Sequence, residues 1–301
     1  MSATVAPVEI GWRACIALAR ARGSARQLAT LSESVYLLAA GEVVWLGRAG
    51  AALHGRAALV PSAPPDAAEL NIDVSCARCW RPPAFHDLPR ARIAAGCRTL
   101  RDAITTLGEP AGFGVLLAGG TPAFPLADAV DVAGALAEAC ATDDPPAALA
   151  AARTLIGLGP GLTPAGDDYV GAAFFARMLL GPGGTRHADG WADAAAGVRA
   201  LAAERTHPIS AALLADLTAG EGHAPLHDLA GALALEAPLP ATLASARRLT
   251  RIGHSSGWDM LAGFIGAILG SWRGQRPPPP NLPVRAGCDD PFEAPSRMGV
   301  E

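Results

Sequence analysis

The chain contains no lysine: all 24 of its basic residues are arginine. That absence removes whole mechanisms. Without an ε-amino group there is no Schiff base, no lysine general base and no P-loop lysine, so pyridoxal-phosphate enzymes and ordinary Walker nucleotidases are excluded. Anion binding is left to arginine, backbone N–H groups or a metal. Charge is scarce as well. Only 17% of the 301 residues are charged, half are hydrophobic, and the formal net charge is −4, which gives no electrostatic case for nucleic acid or an anionic membrane surface. No apolar run reaches the roughly 18 residues of a membrane span, so a soluble protein without a membrane partner is expected. Cysteine supplies no framework either. Of Cys15, Cys76, Cys79, Cys97, Cys140 and Cys288, only Cys76-x-x-Cys79 is a close pair, and no second pair or His-x-His spacing completes a zinc set. Scattered thiols and no signal peptide point to the cytoplasm.

What the chain does have is one unusual stretch. Residues 157–171 read G-L-G-P-G-L-T-P-A-G-D-D-Y-V-G, with five glycines, two prolines and an adjacent pair of aspartates. An almost wholly apolar segment follows. Glycine opens backbone conformations closed to other residues and proline fixes φ, so the first half is a tightly determined loop. Gly166-Asp167-Asp168 then places acidic residues where a helix dipole favours them, at the start of a buried helix. A glycine-rich loop entering a helix presents unpaired N–H groups, a common way of holding phosphate or carboxylate. The plainer alternative is a well-capped turn and nothing more.

The rest of the chain divides by period. A short helix is expected over 9–22, strands over 27–39 and 42–47 hinged at Ala40-Gly41, and short strands over 57–60 and 70–75. Trp80 opens a loop, 89–107 reads as helix, and 112–117 reads as a further short strand. From residue 125 the pattern is helical almost throughout, with Asp144 as N-cap before Pro145. Gly181–Gly184 stops one helix and the last runs over 257–272. The expected architecture is α+β: a small β-rich N-terminal domain of antiparallel strands (1–124), a mostly α-helical domain (125–275) and a disordered proline-rich tail (276–301).

A second motif, Gly253-His-Ser-Ser-Gly-Trp-Asp259, echoes the first. With Gly257 set on Gly166, Asp259 falls on Asp168, and each Gly-x-Asp precedes a buried apolar helix. A carboxylate there is costly unless paired, capped or coordinated. Either these are two independent caps, each worth about 1 kcal/mol, or two helix N-termini aim into one cleft with Asp168 and Asp259 facing each other. His254 beside Ser255 and Ser256 suggests a base and hydroxyls, the serines better placed as caps or oxyanion donors than as nucleophiles. His207, before a proline and near Ser210, stands at another helix start, as a third arm of the cleft or as a cap. Asp167 reads either as part of the anion site or as a plain surface charge. His54, His86, His187, His223 and His227 lie in polar or loop-like stretches without a specific role.

Three motifs, G-L-T-P-A-G-D-D, Thr206–Ser210 and G-H-S-S-G-W-D-M-L-A-G, resemble in order and kind those of the AllH-like family, whose name-bearing member is a subunit of oxamate carbamoyltransferase. The layout over about residues 10–272 resembles it too; Ala165 departs, standing where the family commonly has serine. The resemblance implies purine-degradation chemistry, with oxalurate and phosphate exchanging with oxamate and carbamoyl phosphate inside a multi-subunit enzyme. The candidate catalytic residues are Asp168, Asp259 and His254. The candidate substrate contacts are Gly159, Gly161, Thr163, Gly166, Asp167, His207, Ser210, Ser255, Ser256 and Gly257. Asp168 and Asp259 are also the candidate ligands of Mg²⁺. Three classes stay open: a carbamoyltransferase subunit binding a small anion, a Mg²⁺-dependent hydrolase or phosphotransferase, and a noncatalytic assembly or ligand-sensing subunit.

Overall fold

The structure is a computed structural model that describes residues 3–65, 67–83, 85, 88–180 and 187–272. It is an α+β protein. Eight strands, β1 (Ala3–Val5), β2 (Glu9–Gly11), β3 (Ser24–Thr30), β4 (Ser34–Ala39), β5 (Glu42–Arg48), β6 (Ala57–Val60), β7 (Glu69–Ile72) and β8 (Arg78–Trp80), form one sheet in the order β1-β7-β3-β4-β5-β6-β2-β8. The β4–β5 hairpin turns on Ala40 and Gly41, both at positive φ (51° and 84°), the backbone a two-residue hairpin needs to match strand twist.

The sheet corrects two expectations. It is mixed: β1–β7, β5–β6 and β2–β8 are parallel pairs. Periodicity reports which residues alternate, not which distant strand lies alongside, so the non-local pairings were invisible. Residues 9–11 are strand, not helix, because Glu9 and Ile10 pair with β6 on one side and β8 on the other. The helix starts only at α1 (Trp12–Arg20). A third correction concerns residues 112–117. They form a 3-10 helix (Gly112–Ala118) that buries Phe113, Leu116 and Leu117 together, an i, i+3, i+4 face that a short apolar run does not distinguish from a strand.

The helical part comprises α2 (Arg90–Asp102), α3 (Val130–Thr142), α4 (Pro145–Leu155), α5 (Ala165–Leu179), α6 (Ala188–Arg205), α7 (Pro208–Thr218), α8 (Ala224–Ala234), α9 (Leu239–Thr250) and α10 (Ser256–Leu269). Asp144 caps α4 as expected, its Oδ1 accepting from the Ala147 N–H at 3.0 Å. The expected stop at 181–184, His86 and the tail from 276 lie outside the described residues. Among the described residues no helix is long and apolar enough to cross a membrane.

Helices α5 and α10 are buried almost all round and pack on each other at the centre of one large apolar core, as expected of helices apolar on every face. A Cβ at Gly263 would sit 2.1 Å from the Tyr169 carbonyl oxygen, so only glycine lets these two backbones meet. The same core includes α2 and the 3-10 helix. The sheet has two apolar faces by simple alternation. Leu37, Val44 and Leu46 pack under α1 with Ala14 and Leu18. Tyr36 and Val43 point the other way, against Ile209 and Leu213 of α7.

Charge ties the layers where apolar contact is thin. Arg56, before β6, donates from Nε and Nη2 to the two oxygens of Asp216 on α7 (2.8 and 3.0 Å) and from Nη1 to Glu42 (2.8 Å). Arg13 and Trp12 of α1 donate to Glu221, and Arg13 also lies 3.2 Å from Asp216. Arg56 and Asp216 are both buried, and removing one member of such a pair strands the other charge. Arg56→Ala should therefore cost about 3–5 kcal/mol of stability, read from urea unfolding. Adding Asp216→Ala should cost much less than its own single effect, and strict additivity would show the pair to be uncoupled.

Candidate functional site

The glycine loop between α4 and α5 is held by its backbone. Gly157, Gly159 and Gly161 sit at φ of 83°, 112° and 95°, a region that other residues enter only with strain. The Gly157 N–H donates to Asp167 Oδ1 (2.7 Å), while Thr206 and Ser210 donate hydroxyl bonds to Asp167 Oδ2 (2.5 and 2.6 Å). Asp167 is 1% exposed, so the surface-charge alternative is wrong. It is a latch that fastens the loop to the start of α7. At the loop's exposed tip the N–H groups of Gly159 and Gly161 have no hydrogen-bond partner among the described residues.

The two Gly-x-Asp motifs are built alike. In each, glycine is the second residue of the helix and aspartate the fourth. A Cβ at Gly166 would lie 1.9 Å from the Leu155 carbonyl oxygen; a Cβ at Gly257 would lie 1.9 Å from that of Leu249. The Leu158 N–H donates to Leu155 and the Gly166 N–H to Leu158; correspondingly, Ile252 donates to Leu249 and Gly257 to Ile252. Glycine is required twice for one reason: the new helix starts against the last turn of the helix before it. Neither α5 nor α10 is capped by a side chain at its N-cap residue. The motifs also touch, since the Thr163 and Ser256 hydroxyls are hydrogen-bonded at 3.2 Å.

Asp168 and Asp259 are buried between these helix starts, at 5% and 0% exposure. Asp259 Oδ1 accepts from the Phe113 N–H at 2.6 Å, with the Ser255 hydroxyl near the same carboxyl. The Ser256 hydroxyl lies close enough to Asp168 to pull its pKa down against that burial. The Oδ2 atom of each is buried and without a partner among the described residues. Burial pushes Asp259 up to about 7, against the pull of the Phe113 and Ser255 donors. Burial raises Asp168 well above the usual carboxylate range, and the neighbouring Asp259 charge raises it further. Two acids so placed retain a proton near neutrality, the pattern of groups poised for acid–base work.

The remaining predicted residues divide. Thr163, Ser255 and Ser256 belong to the cluster. His254 is exposed, with no hydrogen bond to either carboxyl among the described residues. His207 is an exposed cap whose Nδ1 accepts from the Ile209 N–H at 3.2 Å, and Ser210 is spent on Asp167. Among the described residues no three His, Cys, Asp or Glu side chains gather as metal ligands. Sequence reasoning missed Tyr36. On β4, facing α7, it lies close enough to Asp168 for that carboxylate to add to the burial that raises its phenol well above its ordinary range. Its alternation with Val35 and Leu37 gave the face, but not what stood opposite. His54, His223 and His227, read as loop residues without a role, are packed at the sheet–helix junction, with His54 and His223 rings 4.7 Å apart. Burial lowers His223 and His227 to about 4.

Residues 155–268, from the end of α4 to within α10, match the family model of the oxamate carbamoyltransferase subunit AllH, which is what that span of the chain is similar to. No curated protein and no solved structure matches the chain.

Two measurements check the site. Gly166→Ala and Gly257→Ala should each destabilise by several kcal/mol, about the cost of forcing a core contact, with thermal unfolding as the readout; a loss within ~0.5 kcal/mol would mean the helix junctions yield freely. The second uses pH. Asp259, raised from 3.8 to about 7, contributes stability that is complete below pH 4 and lost as pH climbs through 7. His223 and His227, lowered from 6.5 to about 4, act oppositely, losing theirs as pH falls from 6.5 towards 4. The difference between wild type and Asp259→Asn isolates the acid. It should shift against the wild type by up to about 1.4 kcal/mol per unit between pH 4 and 7. A flat difference would mean that Asp259 titrates normally.

Proposed function

We propose that the chain is one subunit of an oxamate carbamoyltransferase-like enzyme and that it holds a small anionic substrate, oxalurate, carbamoyl phosphate or phosphate, at the paired Gly-x-Asp helix N-termini. The observation that carries this reading is the junction of the two motifs: Thr163 on Ser256, with a buried carboxyl of unpartnered Oδ2 on each side. The family match spans both motifs.

The free N–H groups of Gly159 and Gly161, with the positive ends of α5 and α10, hold the anion. Two ionised carboxylates would repel it. A carboxyl kept protonated by burial instead donates a hydrogen bond, so the raised Asp168 and Asp259 suit the ligand. In the direction that consumes oxalurate, a phosphate oxygen attacks the carbamoyl carbon, the C–N bond breaks, and the leaving nitrogen takes a proton from the Asp259 carboxyl. The loop N–H groups stabilise charge on the oxygen of the intermediate. Residues for the remaining contacts come from partner subunits of the complex.

The unpartnered Oδ2 atoms also support a second reading, a Mg²⁺-dependent hydrolase or phosphotransferase. Mg²⁺ commonly takes one or two carboxylates and completes its shell with water and substrate phosphate, so the absence of a third side chain does not oppose it. pH and metal separate the two. Titration calorimetry with phosphate and carbamoyl phosphate should show binding in EDTA at pH 6 that weakens severalfold by pH 8, and Asp168→Asn should alter it. Binding that requires Mg²⁺ and strengthens as pH rises would replace the first reading with the second. No binding to the chain alone, restored only with partner subunits, would make it a noncatalytic component.

A further inference from the structure

The 3-10 helix Gly112–Ala118 lies outside the span that the family match covers, yet it reaches both motif helices through one residue. The Phe113 N–H donates to Asp259 Oδ1 at 2.6 Å. The Phe113 ring packs on that of Tyr169, the neighbour of Asp168, with centroids 4.9 Å apart. The approach to Asp259 depends on the residue before. Gly112 has φ of 54°, in the left-handed region, which other residues enter only at a cost. A Cβ there would lie 2.2 Å from Asp259 Oδ1 and 2.8 Å from both Cγ and Oδ2, so a side chain would strike the whole carboxyl group. Gly114 is close-packed as well, but on another group: its Cβ would meet Trp258 Cβ at 2.7 Å. Asp259 is fully buried, with Oδ1 committed to the amide and Oδ2 without a partner among the described residues. The last torsion of an aspartate is broad and roughly two-fold, so an unheld carboxyl exchanges its oxygens. The amide bond and the close Gly112 backbone take that freedom away.

We propose that Gly112 and Phe113 are positioning residues of the site: together they pin Asp259 Oδ1 and leave Oδ2 as the single oxygen of that carboxyl open to a ligand. This rests on the reading above, in which Asp259 meets the bound anion. It holds for a hydrogen bond to phosphate and for a metal shared with phosphate alike, since in both cases Asp259 contributes one oxygen and not two. A group held in one orientation has less freedom to lose when the ligand arrives, so hydrogen bonds behind the contacting groups raise affinity without touching the ligand. The functional unit is then larger than the matched span 155–268, because the groups that orient Asp259 come from residues 112 and 113.

Three variants of the full chain separate positioning from packing. Binding of inorganic phosphate is followed by titration calorimetry, with and without Mg²⁺, and folding by circular dichroism and thermal unfolding. Replacing Phe113 by its α-hydroxy acid, through amber suppression, deletes the N–H and keeps the ring. Phosphate should then bind about tenfold more weakly, the scale of a lost hydrogen bond to a charged group, with an unchanged spectrum. Gly112→Ala should weaken phosphate at least as much and also lower the melting temperature. Gly114→Ala, which presses on Trp258 and not on the carboxyl, should lower the melting temperature and leave phosphate binding nearly unchanged. Should Gly112→Ala fail to fold, the α-hydroxy acid variant decides alone. Phosphate bound as tightly by that variant as by the wild type, or a loss in Gly114→Ala as large as in Gly112→Ala, would overturn the proposal. A wild type that binds no phosphate under either condition overturns the reading of the site, and this inference with it; that failure shows in the wild type and not only in the variants.

Discussion

Everything in the site depends on backbone meeting backbone without a side chain between. Gly166 and Gly257 let α5 and α10 begin against the carbonyls of Leu155 and Leu249, and Gly263 lets the two helices touch at Tyr169. Bringing the helices this close is what buries Asp168 and Asp259. A carboxyl in the first turn of an ordinary surface helix would stay wet and ionised, and would add a few tenths of a kcal/mol to helix stability. Here it loses its water and keeps one oxygen without a partner, so it holds its proton instead. The arrangement is a local cost that packing elsewhere offsets, as is common where function requires an unfavourable group.

Helix α7 transmits the order of the sheet to the loop. Its first turn supplies Ser210 to Asp167, and its last turn supplies Asp216 to Arg56. One face between them packs Ile209 and Leu213 on Tyr36 and Val43. The N-terminal layer is therefore no separate appendage. It fixes the helix that fixes the loop, and through Tyr36 it brings a hydroxyl-bearing side chain near Asp168. Asp167 and Asp168, neighbours in sequence, have opposite fates for this reason. Asp167 turns towards α7 and is satisfied by three donors; Asp168 turns towards α10 and is not.

Much of this was legible beforehand, and what failed did so for physical reasons. The turn at Ala40-Gly41, the cap at Asp144 and the glycine-rich loop are encoded within a few residues, so reading them needs no distant partner. The pairing of Gly166-x-Asp168 with Gly257-x-Asp259 was visible as an alignment because both motifs meet the same packing demand. The 3-10 helix over Gly112–Ala118 was misread because six apolar residues carry no period long enough to choose. The parallel pairs of the sheet and the place of Tyr36 had no local signal at all.

The sequence by itself determined the local chemistry: an α+β order of elements, no lysine to hold an anion, a loop that must bend at its glycines, and two carboxyls at the starts of very apolar helices. Only the tertiary structure decided which groups those carboxyls meet. Asp167 could be a surface charge or a latch, and His207 a ligand or a cap, until Thr206, Ser210 and Ile209 were placed beside them. Protonation was decided at the same level, because the shift of Asp259 comes from burial against Phe113 and its surroundings. That burial is contributed by segments nearly 150 residues apart in the chain, and no window of sequence contains it.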